Sequence, residues 1–182
     1  EGKRIDELNM RELYELRSNF GFLFQSSALF DSMTVEENIL LPLIESRKSY
    51  TNEELNKKVD EKLELVGMSG VQMLKPAELS GGMKKRVGLA RALITDPDYI
   101  FYDEPTTGLD PIMSDSIDEL IKELTDKLNV TSIVVTHDMY SVKNVAHQVA
   151  MMHEGKIYFV GDPNDLLNSE DFTIREFIQR TE

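Results

Sequence analysis

Asp103 and Glu104 stand side by side at the end of the run "YIFYDEPTTGLD", where four bulky apolar or aromatic residues lead straight into two acids. Burying such a pair without partners costs several kcal/mol or more, so the acids are expected at the exposed mouth of a strand, facing a cation or a reactive water. There Asp103 can orient a divalent cation and Glu104 can polarise a water; the same residues can also simply cap the turn that follows. The strict adjacency and the lack of a basic neighbour in sequence favour chemistry. His137 follows a second apolar run, "SIVVT", and Gln25 follows a third, "FGFLF". Both therefore also stand at strand ends, where open α/β sheets keep their ligands.

A second element supplies an anion site. In "LSGGMKKRVGLARAL" (79–93) Ser80 is placed as a helix N-cap, with Gly81 and Gly82 in the first turn. Free amides there and the positive end of the helix dipole suit a phosphate, although a plain glycine-rich cap has the same letters. Asp110-Pro111 opens another helix by ordinary capping, with proline at its first position.

The elements that must carry these residues can be read from caps and periodicity. Asn9 with Glu12, Thr34 with Glu37 and Thr51 with Glu54 are capping boxes. The first opens a short helix with Met10, Leu13 and Leu16; the second opens a helix ending near Pro42. The third opens one whose stripe is Leu55, Val59, Leu63 and Val66, stopping at Gly67. "FGFLF" reads as a strand buried on both faces. Residues 26–79 form a helical insert, after which helix 81–95, strand 99–103, helix 111–128, strand 131–136 and helix 138–146 alternate. Two short strands around "EGK" and two closing helices follow. This order predicts an α/β fold with a mostly parallel sheet and an α-helical subdomain.

Composition narrows the function classes. The 182 residues are 41% hydrophobic and 29% charged, as in an ordinary globular protein. A net charge of -13 argues against a nucleic-acid surface, and the absence of cysteine excludes disulfides and thiol chemistry. The densest apolar run, "NILLPLI", falls far short of the roughly 18 residues of a membrane span. The chain opens without an initiator methionine, on what reads as half of a hairpin, and a fragment is expected.

The order Gln25, "LSGGM", "IFYDEPTTGLD", His137 resembles the Q-loop, signature, Walker B, D-loop and H-switch of ABC transporter ATPase subunits, over essentially the whole chain. The resemblance implies a partial P-loop NTPase core binding ATP and Mg²⁺. Gln25 would sense magnesium and a transmembrane partner, and Asp103 would serve magnesium. Glu104 would be the general base and His137 the γ-phosphate switch. Ser80, Gly81 and Gly82 would meet the γ-phosphate held by the opposite subunit, and Asp110 would belong to the dimer-contacting D-loop. It further implies three parts: 1–25, a remnant of the ATPase core ending in the Q-loop; 26–96, the helical subdomain with the signature; and 97–182, the remaining core. A homodimer, permease subunits and a cytoplasmic location at the membrane face are implied as partners and place. "GFLFQSSALFDSMTVEENILLPLIE" and Met83, where glutamine is commoner, are similar to the Mla and Mce-associated lipid transport ATPases, which adds a lipid-binding MCE-type protein to the expected partners.

One element of the pattern is missing from these residues. No G-x-x-x-x-G-K-[ST] occurs; the Gly-Lys pairs are Gly2-Lys3-Arg4 and Gly155-Lys156-Ile157. The 182-residue chain alone is therefore expected to be inactive. An SMC-type ATPase would need a long heptad coiled coil where only about 54 residues lie between Gln25 and Ser80. A two-cassette translation protein fits the acidic single cassette poorly, and a permease-docking module without turnover is the non-enzymatic alternative.

Overall fold

The computed structural model describes residues 4–46 and 49–181. The half-hairpin expected at the start falls mainly on residues outside these; the first described element is a 3-10 turn, Ile5–Glu7. All three capping boxes form, opening α1 (Met10–Arg17), α2 (Val35–Glu45) and α3 (Asn52–Leu65). In each, the cap side chain accepts from the backbone N–H three residues on, while the glutamate reaches back to the cap. Helix α2 does not end near Pro42 but continues to Glu45. Proline removes one helical donor, yet buried Leu43 lies beyond it, and packing of that side chain holds the last turn. Helix α3 buries Val59, Leu63 and Val66 and stops where Gly67 takes φ 67°.

Three parallel strands, β1 (Phe20–Leu23), β2 (Tyr99–Asp103) and β3 (Thr131–Val135), form a sheet in the order β1-β2-β3. Leu23 pairs with Tyr102, and Asp103 with Val135, so all three C-terminal ends open on one edge of the sheet. Helix α4 (Gly81–Leu93) lies directly on β1, and the fit requires glycine: a Cβ on Gly21 would sit 2.5 Å from the carbonyl oxygen of Ala92. Helix α5 (Pro111–Leu128) adds Ile117, Leu120, Ile121 and Leu124 to the same core as Leu23, Ile100 and Tyr102.

The helices cover one face of this sheet. Phe22, Phe24, Ile133 and Val135 remain exposed on the other, and Phe22, Phe101 and Ile133 run across it in register. The expectation of a strand buried on both faces is thus corrected for the described residues. Aromatic stacking, with ring centroids of Phe22 and Phe101 5.2 Å apart and those of Phe20 and Tyr99 5.1 Å apart, gives these side chains partners within the face itself.

Beyond β3 come α6 (Met139–Val145), an antiparallel hairpin of β4 (Val149–His153) and β5 (Lys156–Gly161), then α7 (Pro163–Leu167) and α8 (Phe172–Thr181). The hairpin turns on Glu154 and Gly155, both at positive φ, which matches the twist of the strands. A small second core of Met139, Val142, Met151, Leu166 and Ile174 joins these elements. Among the described residues no helix is long and apolar enough to cross a membrane.

Candidate functional site

Parallel register brings Gln25, Asp103, Glu104 and His137 to the same edge of the sheet, each just at or beyond the end of its strand. Asp103 is the last residue of β2; its side chain is exposed and has no partner among the described residues. Glu104 leaves the strand at φ 47°, a left-handed conformation that a non-glycine residue keeps only when its surroundings hold it. Its N–H donates to the carbonyl of Val135 at 2.9 Å, and its carboxylate accepts from Thr107 Oγ1 at 3.1 Å.

The other carboxylate oxygen lies 2.7 Å from His137 Nδ1. An ionised carboxylate can only accept, so the imidazole N–H donates in this contact. Glu104 is largely buried, with 19% of its side chain accessible against 60% for His137. The two are therefore a joined pair with the ring outermost.

The acids also have a basic neighbour, which sequence adjacency had not suggested. Lys85, on α4, is 4% exposed, and its Nζ donates to the carbonyl of Gln25 at 2.6 Å and to that of Glu104 at 3.0 Å. Burial pushes the Lys85 ammonium below its usual range, while the charges of Glu104 and Asp103 oppose the fall. A signal for it existed: Lys85 is a cation on the same stripe as buried Gly82, Gly88 and Leu89. From farther along α4, Arg91 donates to the carbonyls of Ser27 and Ala28 at 2.6 and 2.7 Å, holding the left-handed turn that follows Gln25. Gln25 itself is exposed.

Ser80 caps α4, its Oγ accepting from the N–H of Met83 at 3.3 Å. Gly81 is exposed, but Gly82 is buried, and a Cβ there would lie 2.1 Å from Met113 Cε. The flexible tip of Met113 thus closes over Gly82 where α4 packs on α5. Asp110 caps α5 and accepts from the N–H of Met113 at 3.0 Å, so its carboxylate is engaged within its own chain. Ser80 to Gly82 and Asp110 thus share one junction, the meeting of the α4 and α5 N-termini. Among the described residues no hydrogen bond joins that junction's Ser80, Gly81 or Gly82 to the Glu104–His137 pair.

Among the described residues no cluster of three or more His, Cys, Asp or Glu side chains is placed to hold a metal ion. A single free carboxylate at Asp103 suits instead a Mg²⁺ that arrives on phosphate oxygens and keeps part of its water shell.

A family model described as ABC transporter matches residues 1–107 of the sequence. The chain belongs to the ABC transporter family. The intermembrane phospholipid transport ATP-binding protein MlaF of Haemophilus influenzae is 42% identical over 180 residues, which is 98% of this chain and 67% of that protein. The probable ribonucleotide transport ATP-binding protein mkl of Mycobacterium leprae is 39% identical over 178 residues, 98% of this chain and 51% of the other. The methionine import ATP-binding protein MetN of Aliivibrio fischeri is 41% identical over 182 residues, 100% and 52% of the two chains. The chain thus spans two thirds of the first relative and about half of the others.

Solved structures agree on the fold. The ATP-binding cassette MJ0796, solved as a dimer in a post-hydrolysis state bound to ADP and Pi, superposes with a TM-score of 0.75 at 32% identity, over 87% of this chain and 69% of that one. For cbiO1 of Clostridium perfringens, part of the ABC transporter complex cbiONQ, the TM-score is 0.83 at 30% identity, covering 99% and 70%.

Proposed function

We propose that these residues belong to the ATP-hydrolysing subunit of an ABC transporter that moves phospholipid or another lipid between bacterial membranes. The observation that carries the ATPase reading is the Glu104–His137 pair beside a free Asp103 at a single sheet edge. Asp103 would hold the Mg²⁺ carried by the nucleotide, and Gln25, at the same strand-end edge, would sense it. The ion neutralises charge on the phosphate oxygens. Glu104 would accept a proton from the attacking water, and His137, on giving up its contact with Glu104, would be free to turn toward the γ-phosphate. Ser80, Gly81 and Gly82 offer amides to a nucleotide held by a second copy, and Asp110 lies beside them at the same dimer contact.

In this reading residues 1–25, 26–96 and 97–182 are the core remnant, the helical subdomain and the remaining core. The protein works as a homodimer on the cytoplasmic face of a membrane, with permease subunits and an MCE-type lipid-binding partner. A groove of about 630 Å³ lined by Tyr14, Phe22, Phe24, Phe30 and Pro42 supports permease docking. Buried Asn38 fixes the loop above it, accepting from the N–H of Phe30 at 2.7 Å and donating to its carbonyl at 3.1 Å. Neighbouring Leu29 packs on the core, leaving Phe30 as the presented side chain.

The lipid assignment rests on the MlaF likeness; the names mkl and MetN favour import of small polar solutes as the second reading. Reconstitution of the full-length protein with its permease separates them. ATP-dependent transfer of labelled phospholipid between vesicles is expected, and ATP-driven uptake of methionine or a ribonucleotide without lipid transfer would overturn the lipid reading.

A further inference from the structure

Lys85 touches two of the strand-end residues at once, and it does so from the helix that Ser80 caps. Its contacts are with main-chain carbonyls, not with carboxylates. The Glu104 carboxylate is therefore left to His137 and Thr107, while the backbone of Glu104 is held from below. That backbone needs holding. At φ 47° Glu104 lies outside the extended region that the rest of β2 occupies; its N–H donates to Val135, and its carbonyl accepts from the N–H of Thr107 at 3.3 Å within the turn Glu104 itself opens, so Lys85 is what ties that carbonyl to α4. On the other strand, Gln25 has left β1 and its carbonyl would face the interior unpaired without an ammonium donor.

We propose that Lys85 is a positioning residue for the ATPase reaction, tying the first turns of α4 to the backbone of Gln25 and Glu104. A helix is stiff over one and a half turns, so displacement of the Ser80–Gly82 end carries Lys85 with it. Both carbonyls then shift, and the carboxylate of Glu104 swings about its strained backbone. The inference rests on the reading above, in which Ser80 to Gly82 meet a nucleotide held by a second copy while Gln25 and Glu104 serve the nucleotide held by their own. Under that reading Lys85 links the two sites of a dimer through a single buried cation. Arg91 acts in the same direction on Ser27 and Ala28, which keeps the segment after Gln25 from absorbing the movement.

The test uses the full-length protein with Lys85→Met, which keeps length and tolerates burial, and Lys85→Gln, which restores a donor. Amide exchange is read in the nucleotide-free state, and steady-state ATPase kinetics are read beside it. Exchange at residues 24–28 and 103–107 is expected to rise about tenfold or more in Lys85→Met, with the rest of the sheet near wild type. The value of kcat should fall about tenfold with KM for ATP little changed, because Lys85 holds the reacting group without touching the nucleotide; Lys85→Gln should recover part of both. Wild-type exchange at both segments overturns the proposal, as does a uniform rise across the sheet in both variants. A selective rise with unchanged kcat overturns it as well, since the carbonyls would then be held for stability alone. Absence of ATPase activity in the wild-type protein would refute the functional reading instead, and the exchange pattern would still decide whether Lys85 positions Gln25 and Glu104.

Discussion

Asp118→Asn should stabilise this protein at neutral pH and remove a fall in stability between about pH 4 and pH 6. Asp118 lies on α5 against α6, is 3% exposed, and neither carboxylate oxygen is satisfied by a hydrogen bond. Burial pushes its carboxyl up from 3.8 to about 6; the nearby hydroxyl of Ser141 opposes the rise, and the charges of Asp138 and Asp115 add to it. A carboxyl with a raised folded-state value binds its proton more tightly in the folded chain than in the unfolded one. Its contribution is therefore most favourable below the unfolded value and is lost as pH climbs through the folded one. A rise of about two units corresponds to about 3 kcal/mol at 1.36 kcal/mol per unit. Water entering the open groove beside Asp115, Glu119 and Lys122 screens part of this, leaving about 1–2 kcal/mol at pH 7. Asparagine keeps the shape and removes the buried charge, while the Ser141 hydroxyl keeps donating to Asp138 at 3.3 Å. Urea unfolding of both proteins at each pH from 4 to 8 measures the difference. It should be near zero or unfavourable to the variant at pH 4, grow through pH 6, and settle at about 1–2 kcal/mol, or several degrees in Tm. A difference independent of pH, or a wild type more stable than the variant at pH 7, would refute the reasoning.

In the full-length protein, Glu104→Gln keeps size and the Thr107 contact but removes the base, so phosphate release should fall about 10²–10⁴-fold with ATP binding retained; near-normal turnover would end the assignment. Gly82→Asp should lower Tm of the 182-residue chain, because it buries a carboxylate beside Met113, whereas Gly81→Asp, at an exposed position, should leave Tm close to wild type and block ATP-dependent dimerisation in the full-length protein. Light scattering with ATP checks the second half, and an ATP-held dimer of Gly81→Asp would show that these amides do not face the partner's nucleotide. Phe30→Asp, at a side chain 55% exposed, should cut permease-stimulated ATPase activity while leaving thermal melting cooperative and unshifted; a collapse of melting would mean the ring belongs to the core. The 182-residue chain holds no G-x-x-x-x-G-K-[ST]; losing three charge-assisted phosphate contacts of about 1.5–3 kcal/mol each should weaken ATP binding about 10³–10⁶-fold, and saturable micromolar binding in isothermal titration would contradict this.

Local signals carried most of the fold. Three capping boxes, Gly67 and the Asp110-Pro111 start are decided by a few neighbouring residues, and each forms as read. Pro42 misled because its cost is local while the burial of Leu43 that overrides it is tertiary. The apolar runs of β1 and β3 announced strands correctly, yet could not say that one face lies open among the described residues. A run of apolar side chains has the same letters whether helices cover it twice or aromatic rings stack on one another across it. At the site, strand ends brought Gln25, Asp103, Glu104 and His137 together as their positions in the sequence implied. Lys85 stayed hidden because a lysine in "MKKR" looks like an exposed charge, and only its phase along α4, facing Gln25 and Glu104, marks it as buried.

The adjacency of the two acids is resolved by their backbones. In a regular strand successive side chains point to opposite faces, and Asp103 and Glu104 would be separated by the pleat alone. The left-handed turn at Glu104 breaks that alternation and gives the two carboxylates different surroundings. Asp103 is exposed and makes no hydrogen bond among the described residues, which suits the exchangeable ion of the proposed mechanism. Glu104 is gripped at its N–H by Val135, at its carbonyl by Lys85 and the N–H of Thr107, and at its two carboxylate oxygens by His137 and the Thr107 hydroxyl. Five contacts on one residue restrict its carboxylate to a narrow range of positions, which is what orienting a water would require in the proposed mechanism and what binding an exchangeable ion would not. Exchanging the order of the two acids would put the held carboxylate where the free one is needed, so Asp103→Glu combined with Glu104→Asp should abolish phosphate release by the full-length protein even though net charge and composition stay the same, and wild-type turnover would refute this.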